Sequence, residues 1–178
     1  MIKTFYLMRH GQTRFNVQGR IQGMCDSPLT EERIEQAKAA RRYFEQEGIT
    51  FTRVYSSTQE RACDTAELAT GRVDYIRLKG IKEMDFGAYE AHQEYLNPPV
   101  HHEDGSDYRD FFVRYGGEST AQVYECMEQT IREVLEDSKE DETLLFVSHG
   151  GAIMRFYLHA TKIRQFLKNV QLTVRFSK

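Results

Sequence analysis

The segment IKTFYLMRHG, residues 2–11, is a short apolar run that ends abruptly in polar residues. The apolar part, Ile2 to Met8, is rich in aromatic residues and does not alternate between apolar and polar positions. Such a run is typical of a strand that is buried on both faces, as in a parallel sheet. We therefore predict a parallel strand that is followed directly by Arg9 and His10.

Apolar runs and helical patterns alternate along the rest of the chain. Further strands are predicted at Arg53–Tyr55, Val73–Leu78, Thr143–Val147 and Gln171–Phe176. Helices are predicted from Thr30 to Gly48, from Thr58 to Gly71, from Ser119 onward and from about Ala152 to His159. This alternation predicts an α/β protein, a three-layer α/β/α sandwich with a mainly parallel sheet.

Length and charge limit the organisation and the partners of the chain. The 178 residues fit one domain, 1–178, and 40% of them are hydrophobic. The 24 Lys and Arg against 27 Asp and Glu give a net charge of −3. Without a basic excess, we expect neither nucleic acid nor a membrane surface as a partner.

The cysteine pattern and the hydropathy favour a cytoplasmic location. Cys25, Cys63 and Cys126 are odd in number and widely spaced, which disfavours a disulfide framework or a cysteine zinc site. The first apolar run is too short for a signal peptide, and no run approaches the ~18 residues of a membrane span.

Polar residues follow three of the predicted strands. Arg9 and His10 follow the first strand, Arg61 lies one helical turn after Arg53–Tyr55, and His149 follows Thr143–Val147. Ligands of open parallel sheets bind beyond the carboxyl ends of the strands. We therefore expect these four side chains to converge at one edge of the sheet.

Two arginines beside two histidines suit a phosphate ligand. A lone histidine at a strand end is more often structural, but four such groups together would repel one another without an anion. Gly150 is expected to let backbone N–H groups approach that anion, and Gly11 to leave similar room behind His10. A neutral imidazole is also a good nucleophile at phosphorus.

Motifs of other catalytic classes are missing from the sequence. It contains no G-x-S-x-G, H-E-x-x-H, Walker A or G-x-G-x-x-G motif. The run from His101 to Asp104 could bind a metal ion, but adjacent side chains rarely share one ion, so a solvated loop is predicted. We expect neither a metal site nor a cofactor.

The segment of about residues 80–117 is the least regular part of the chain and is interpreted as a lid that sets specificity. Its aromatic residues either line a wall for the leaving group or pack the lid. These residues are Phe86, Tyr89, Tyr95, Tyr108, Phe111, Phe112 and Tyr115.

Five ordered blocks of sequence carry a family resemblance. They are residues 7–16 (LMRHGQTRFN), 19–30 (GRIQG with DSPLT), 56–66 (SSTQERA with TA), 83–87 (EMDFG) and 147–151 (VSHGG). Together they resemble the histidine phosphatase superfamily, the phosphoglycerate mutase-like proteins. The resemblance covers most of the chain and implies a phosphoglycerate mutase-like sandwich.

The resemblance implies a role for each of five residues. His10 would be the nucleophile that becomes phosphohistidine. Glu83 would protonate the leaving alkoxide and then activate water. The side chains that surround the phosphoryl group would be Arg9, Arg61 and His149.

Other assignments rest on the resemblance alone. The residues by themselves do not distinguish Glu83 from Asp85 and Glu90 as the acid, and only the family pattern selects Glu83. The resemblance also implies that Asn16 and Gln22 are additional contacts to the phosphate or to the substrate.

The favoured function is a phosphatase that acts on a small phosphomonoester. A cofactor-dependent phosphoglycerate mutase is the alternative, since both share the phosphohistidine step. Phe86 stands where such mutases carry an aromatic hydroxyl, and segment 80–117 has three basic residues against eight acidic ones. A second alternative is a binder of phosphorylated ligands that has lost catalysis. The sequence leaves the substrate and the oligomeric state open.

Overall fold

The computed structural model describes residues 3–97, 108–160 and 170–175. Within these ranges five strands form one sheet, and every pairing is parallel. The strands are β1 (Lys3–Arg9), β2 (Arg53–Ser57), β3 (Ile76–Leu78), β4 (Thr143–Ser148) and β5 (Val170–Arg175). Their order across the sheet is β3-β2-β4-β1-β5, so β4 and β1 lie side by side at its centre.

Helices cover both faces of the sheet, which confirms the predicted sandwich. They are α1 (Arg14–Val17), α2 (Glu31–Gln46), α3 (Glu60–Thr70), α4 (Thr120–Asp137) and α5 (Gly150–Ala160). None of the helices in the described ranges is both long enough and apolar enough to span a bilayer.

Strand β4 shows how one apolar run serves two cores. Leu144 and Phe146 pack into the cluster that includes residues of α4 and α5. Leu145 and Val147 pack into the cluster that includes residues of α2 and α3. Because successive side chains of a strand point to opposite faces, a strand covered on both sides is apolar at successive positions, as β4 is from Leu144 to Val147.

Strand β3 is shorter than predicted. The sequence predicts a strand over Val73–Leu78, but β3 covers Ile76–Leu78. Val73 is 82% exposed, so no packing surface holds the first half of the predicted segment in the sheet. At the other edge, β5 ends at Arg175, and Phe176 lies outside the described residues.

The described parts of segment 80–117 are packed rather than open. Short 3₁₀ turns occupy Lys79–Ile81, Gly87–Tyr89, Glu94–Leu96 and Val113–Tyr115. Phe112 is fully buried and makes edge contacts with Phe86 and Tyr89 at ring-centroid distances of 4.9 and 5.3 Å. The run from His101 to Asp104 lies outside the described residues.

The start of α4 carries a testable local interaction. Ser119 accepts a hydrogen bond from the Gln122 backbone, and the Gln122 side chain accepts one from the Ser119 backbone. We expect Ser119→Ala to lower the free energy of unfolding by about 1 kcal/mol, because it removes one half of this capping box. Urea unfolding checks this, with Glu136→Ala on the exposed face of α4 as the control. Equal stability of the two variants would contradict the prediction.

Candidate active site

The carboxyl edge of the sheet brings the predicted residues together. Arg9 ends β1 and pairs with Ser148, which ends β4, so the two strands stop at the same level. His10 and His149 are the next residues, and the His10 backbone N–H donates to the Ser148 carbonyl at 2.9 Å. Arg61 joins them from the first turn of α3. The four side chains therefore converge at one edge of the sheet, as expected from their positions after the predicted strands.

The contacts of His10 determine which of its nitrogens is free to react. Nδ1 lies 2.6 Å from the Gly11 carbonyl and therefore donates its proton there. Nε2 then carries a lone pair, and it accepts a hydrogen bond from Nε of Arg61 at 3.3 Å. A ring held in this tautomer presents Nε2 as its nucleophilic atom.

The surroundings of His10 keep its ring neutral. Burial is the main cause that lowers its pKa to about 3, and the nearby guanidinium of Arg61 lowers it further. The hydrogen bond to the Gly11 carbonyl opposes this, and Arg9 adds a smaller lowering. At neutral pH the imidazole is therefore uncharged and able to attack an electrophile.

Arg61 is almost completely buried and rigidly held. It donates to the carbonyls of Gly23 and Cys25, both at 2.9 Å, and to Asp26 at 3.0 Å. The carboxylate of Glu90 in turn accepts N–H groups from Gly23 and Cys25, both at 3.1 Å. Because these backbone groups are fixed, the guanidinium keeps its place beside the nucleophile.

His149 lies against His10 and is completely buried, with 5.0 Å between the ring centroids. Neither ring nitrogen has a hydrogen-bond partner among the described residues. Burial, reinforced by Arg61, holds its pKa well below the usual range, so the ring is neutral. A buried polar group without a partner indicates a place for a ligand oxygen.

Gly150 and Arg9 fit together at the start of α5. A Cβ on Gly150 would lie 2.9 Å from Cζ of Arg9, so a larger residue would force this guanidinium to shift. The first N–H groups of a helix lack partners within the helix and attract anions. Gly150 therefore leaves room for Arg9, and its contact with an anion stays a prediction.

Glu83 is fixed by backbone groups. Oε2 accepts from Gly151 N–H at 2.9 Å, and Oε1 accepts from Ala152 N–H at 2.9 Å and from Met84 N–H at 3.0 Å. The side chain is 8% exposed and lines the same cavity as His10. Its carboxyl group is thus oriented at the start of α5, next to the proposed phosphoryl site.

The geometry separates Glu83 from the two neighbouring acids. Asp85 accepts the Gly87 N–H at 2.7 Å, and Glu90 accepts the Phe86 N–H at 2.9 Å in addition to the loop amides described above. All three acids bind backbone N–H groups, but of the three only Glu83 lines the cavity. The geometry therefore favours Glu83 as the acid, the residue that only the family pattern could select from the sequence.

A cavity of about 580 Å³ opens over this cluster. Asn16 and Gln22 lie on its wall and are linked through Thr13, whose hydroxyl oxygen is within hydrogen-bond distance of a side-chain oxygen of each. Nε2 of Gln22 is buried without a partner in the described structure, so it is available to a ligand. The positions of both residues fit the predicted contacts, and their roles stay predictions.

The aromatic residues of segment 80–117 pack together, and some of them border the cavity. Those that line the cavity are Phe86, Tyr95 and Tyr108. Phe86 and Tyr108 also pack against Phe112, which contacts Tyr89 and Phe111 in turn. Packing is therefore present for most of these residues, and their role as a wall for the leaving group stays a prediction.

Gly11 does not leave room for an anion, contrary to expectation. A Cβ there would lie 3.0 Å from Cβ of Arg33 and 3.4 Å from Leu29, so the glycine allows close packing against α2. Its N–H donates to the Thr65 hydroxyl at 3.2 Å. The absence of a side chain at Gly11 therefore lets α2 pack closely against the residue that follows His10.

Sequence reasoning missed two residues of the site. Gln59 donates to the Gly23 carbonyl and accepts the Glu83 N–H at 3.0 Å. It therefore links Glu83 to the backbone loop that holds Arg61. Arg155 lines the cavity from α5. Its spacing of four from Gly151 places both on one helical face, a signal that could have identified it.

Comparison with known proteins assigns this kind of site to a class. The profile of the histidine phosphatase superfamily (branch 1) matches residues 5–173. The chain belongs to this family, which confirms the resemblance.

Among the described residues, no group of three His, Cys, Asp or Glu side chains could hold a metal ion.

Individual relatives are named for several phosphate substrates. The chain is 30% identical over 162 residues to a putative phosphoserine phosphatase 2 of Hydrogenobacter thermophilus, covering 85% of this chain and 75% of the relative. It is 32% identical to 6-phosphofructo-2-kinase/fructose-2,6-bisphosphatase of Caenorhabditis elegans, covering 85% of this chain and 32% of that protein. The chain thus spans about a third of the bifunctional relative.

A solved structure shows the same fold. Phosphoserine phosphatase of Entamoeba histolytica, solved in complex with 3-phosphoglyceric acid, superposes with a TM-score of 0.72 at 30% identity. The match covers 89% of this chain and 80% of that one. The sandwich is therefore a phosphoglycerate mutase-like fold, as the sequence predicted.

The two buried imidazoles make stability depend on pH. Their pKa values are lowered in the fold, whereas unfolded histidines bind protons below their ordinary pKa of 6.5. Stability is therefore lost as the pH falls below 6.5. For His10, whose pKa in the fold is about 3, we expect a loss of about 2 kcal/mol between pH 7.5 and 5, and for His149 a loss of the same sign.

Urea unfolding of His149→Gln at both pH values tests this expectation. The variant should show a smaller pH difference in stability than the parent, since one of the two rings is gone. His92→Gln, at an exposed ring, is the matched control and should leave the difference unchanged. A parental pH difference in His149→Gln would contradict the assignment of a neutral, buried ring.

Proposed function

We propose that the protein hydrolyses small phosphomonoesters through a phosphohistidine formed on Nε2 of His10. The observation that carries the proposal is the contact of Nε2 with Arg61 at 3.3 Å in a ring whose other nitrogen is committed to Gly11. A neutral nucleophile therefore faces a fixed cation that can bind the phosphoryl oxygens. The named relatives support a phosphatase of small phosphorylated metabolites.

The first step transfers the phosphoryl group to the protein. The lone pair of His10 Nε2 gives up its hydrogen bond from Nε of Arg61 and attacks phosphorus, the bond from phosphorus to the ester oxygen breaks, and its electron pair leaves with that oxygen. Glu83 donates the proton that converts the leaving alkoxide into an alcohol. The charge on the phosphoryl oxygens is stabilised by Arg9, Arg61, His149 and the N–H of Gly150.

The second step returns the site to its starting state. Glu83, now a carboxylate, accepts a proton from water as the water oxygen attacks phosphorus. The bond between nitrogen and phosphorus breaks, and its electron pair returns to Nε2 of His10. The guanidinium of Arg61 stays in place through both steps because protein carbonyls and Asp26 hold it.

A mutase would use the same first step but retain a bisphosphorylated intermediate. Arg155 adds one cation to the cavity, which favours this alternative, whereas Phe86 on the same wall has no hydroxyl to bind a phosphate. Conversion of 3-phosphoglycerate to 2-phosphoglycerate, stimulated by 2,3-bisphosphoglycerate, would establish the mutase. Release of inorganic phosphate without isomerisation favours the phosphatase.

The partners and the location of the protein stay predictions. A small phosphomonoester is the partner that the site favours, and the charge pattern favours neither nucleic acid nor a membrane surface. A cytoplasmic location rests on the cysteine pattern.

Replacement of the nucleophile tests the proposal most simply. We expect His10→Ala to lower kcat/KM for p-nitrophenyl phosphate by at least about 10³-fold, because no covalent intermediate can form. Radiolabelled substrate should leave acid-labile label on the parent and none on the variant. EDTA should have no effect, since the proposed chemistry uses guanidiniums rather than a metal ion.

Full turnover by His10→Ala would contradict the proposal. Loss of activity with EDTA, restored by a divalent ion, would also contradict it. Thermal unfolding of the variant provides the control, since a folded but inactive protein is the expected result.

The role of Glu83 is tested by the choice of leaving group. Glu83→Gln cannot donate a proton, so we expect kcat for an alkyl phosphate to fall by about 10²- to 10⁴-fold. Nitrophenolate leaves without protonation, so the first step with p-nitrophenyl phosphate should be affected far less. Single-turnover formation of the phosphoenzyme measures this step directly. Equal losses for both substrates would mean that Glu83 only orients α5.

A further inference from the structure

Arg155 is a buried cation that the proposed chemistry does not use. It lies on α5, its side chain lines the cavity together with His10, and the residue is only 8% exposed. Its Nε is buried without a hydrogen-bond partner among the described residues. A buried polar atom of a charged group that lacks a partner indicates that the cavity accommodates an anion.

The position of Arg155 relative to the phosphoryl site follows from the glycines of α5. A Cβ on Gly151 would lie 2.8 Å from Nη1 of Arg155 and 2.7 Å from Oε1 of Glu83, whereas one on Gly150 would meet Arg9. Arg9 and Arg155 therefore flank successive glycines at the start of the helix. Arg155 is five positions after Gly150 along α5, a rise of roughly 7.5 Å.

Glu83 lies close to this cation but makes its hydrogen bonds elsewhere. Its two oxygens accept the backbone N–H groups of Gly151, Ala152 and Met84. The guanidinium N–H groups of Arg155 thus remain available to whatever occupies the cavity. A guanidinium presents paired N–H groups that match the two oxygens of a planar anion.

We propose that Arg155 binds a carboxylate on the alcohol half of the substrate and so selects short phosphorylated hydroxy or amino acids. This inference rests on the proposed phosphatase function and specifies its substrate class. One guanidinium balances the single charge of a carboxylate. A second phosphate would carry more negative charge into a cavity that already has Glu94 on its wall.

A pair of substrates with the same carbon skeleton tests the proposal. 3-Phosphoglycerate carries the carboxylate, and glycerol 3-phosphate replaces it with a hydroxymethyl group. The parent protein should have a kcat/KM about 10- to 100-fold higher for 3-phosphoglycerate, because a charge-assisted hydrogen bond pair is lost with the other substrate. p-Nitrophenyl phosphate reports the phosphatase chemistry independently of this preference.

Substitution of the arginine should remove the preference and little else. We expect Arg155→Met to lower kcat/KM for 3-phosphoglycerate by about 10- to 100-fold and to change that for glycerol 3-phosphate by less than about 3-fold. Arg155→Lys should restore part of the preference, since it keeps the charge without the paired N–H groups. Arg41→Met, at an exposed arginine of α2, is the matched control.

A binding measurement gives the same answer without turnover. In a His10→Ala background, 3-phosphoglycerate should raise Tm more than glycerol 3-phosphate does, and adding Arg155→Met should abolish the difference. Because this measurement requires only folded protein, it remains informative if Arg155→Met also alters the chemical step.

Three results would overturn the proposal. Equal losses for both substrates in Arg155→Met would make Arg155 a positioning residue for Glu83 and α5. A parent without preference for the carboxylate would refute it while hydrolysis of p-nitrophenyl phosphate left the phosphatase function intact. Stronger binding of 2,3-bisphosphoglycerate than of 3-phosphoglycerate, lost in Arg155→Met, would assign the residue to a second phosphate instead.

Discussion

The contact between Arg61 and His10 is the interaction on which the rest of the site depends. It places a permanent cation at 3.3 Å from the one ring nitrogen that still has a free electron pair. Burial and this cation together keep the ring neutral, so the same arrangement that repels a proton attracts a phosphate. The fold maintains the contact by holding Arg61 on the carbonyls of Gly23 and Cys25, which the carboxylate of Glu90 fixes in turn. A cation buried in this way is stable only because every one of these groups is in place.

Helix α5 distributes the remaining tasks along its first turns. Gly150 lets Arg9 approach, the next two N–H groups orient Glu83, and Arg155 extends the polar surface one turn further. Because the helix begins directly after β4, all of these groups are fixed relative to His149 at the end of that strand. In the proposed mechanism, the sheet positions the nucleophile and the helix positions the groups that act on the leaving oxygen. The proposed recognition of the rest of the substrate falls to the cavity walls. Segment 80–117 contributes Phe86 and Tyr108 to these walls.

Sequence patterns predicted the layers and the edge of the sheet better than the details of the site. The apolar run at β4 reflects burial on both faces of the sheet, and the small residues of α3 reflect packing of that helix against one face. Both patterns can be read from the sequence, and the structure confirms the fold class that they predict. Glu83 could not be chosen from its neighbours by pattern, since only contacts with α5 separate it from Asp85. Gly11 was wrongly expected to face an anion, because the sequence does not show that α2 packs there. Arg155 was missed because one arginine in an apolar helix resembles a surface residue until its burial is known.

The protonation state of His10 tests the central claim most directly. Nitrogen NMR of the histidine rings at pH 5, assigned by comparison with His10→Ala, distinguishes a neutral ring with its proton on Nδ1 from the other tautomer and from the imidazolium ion. The account predicts the neutral form with the proton on Nδ1 and an unprotonated Nε2. A charged ring at that pH, or a proton on Nε2, would contradict it.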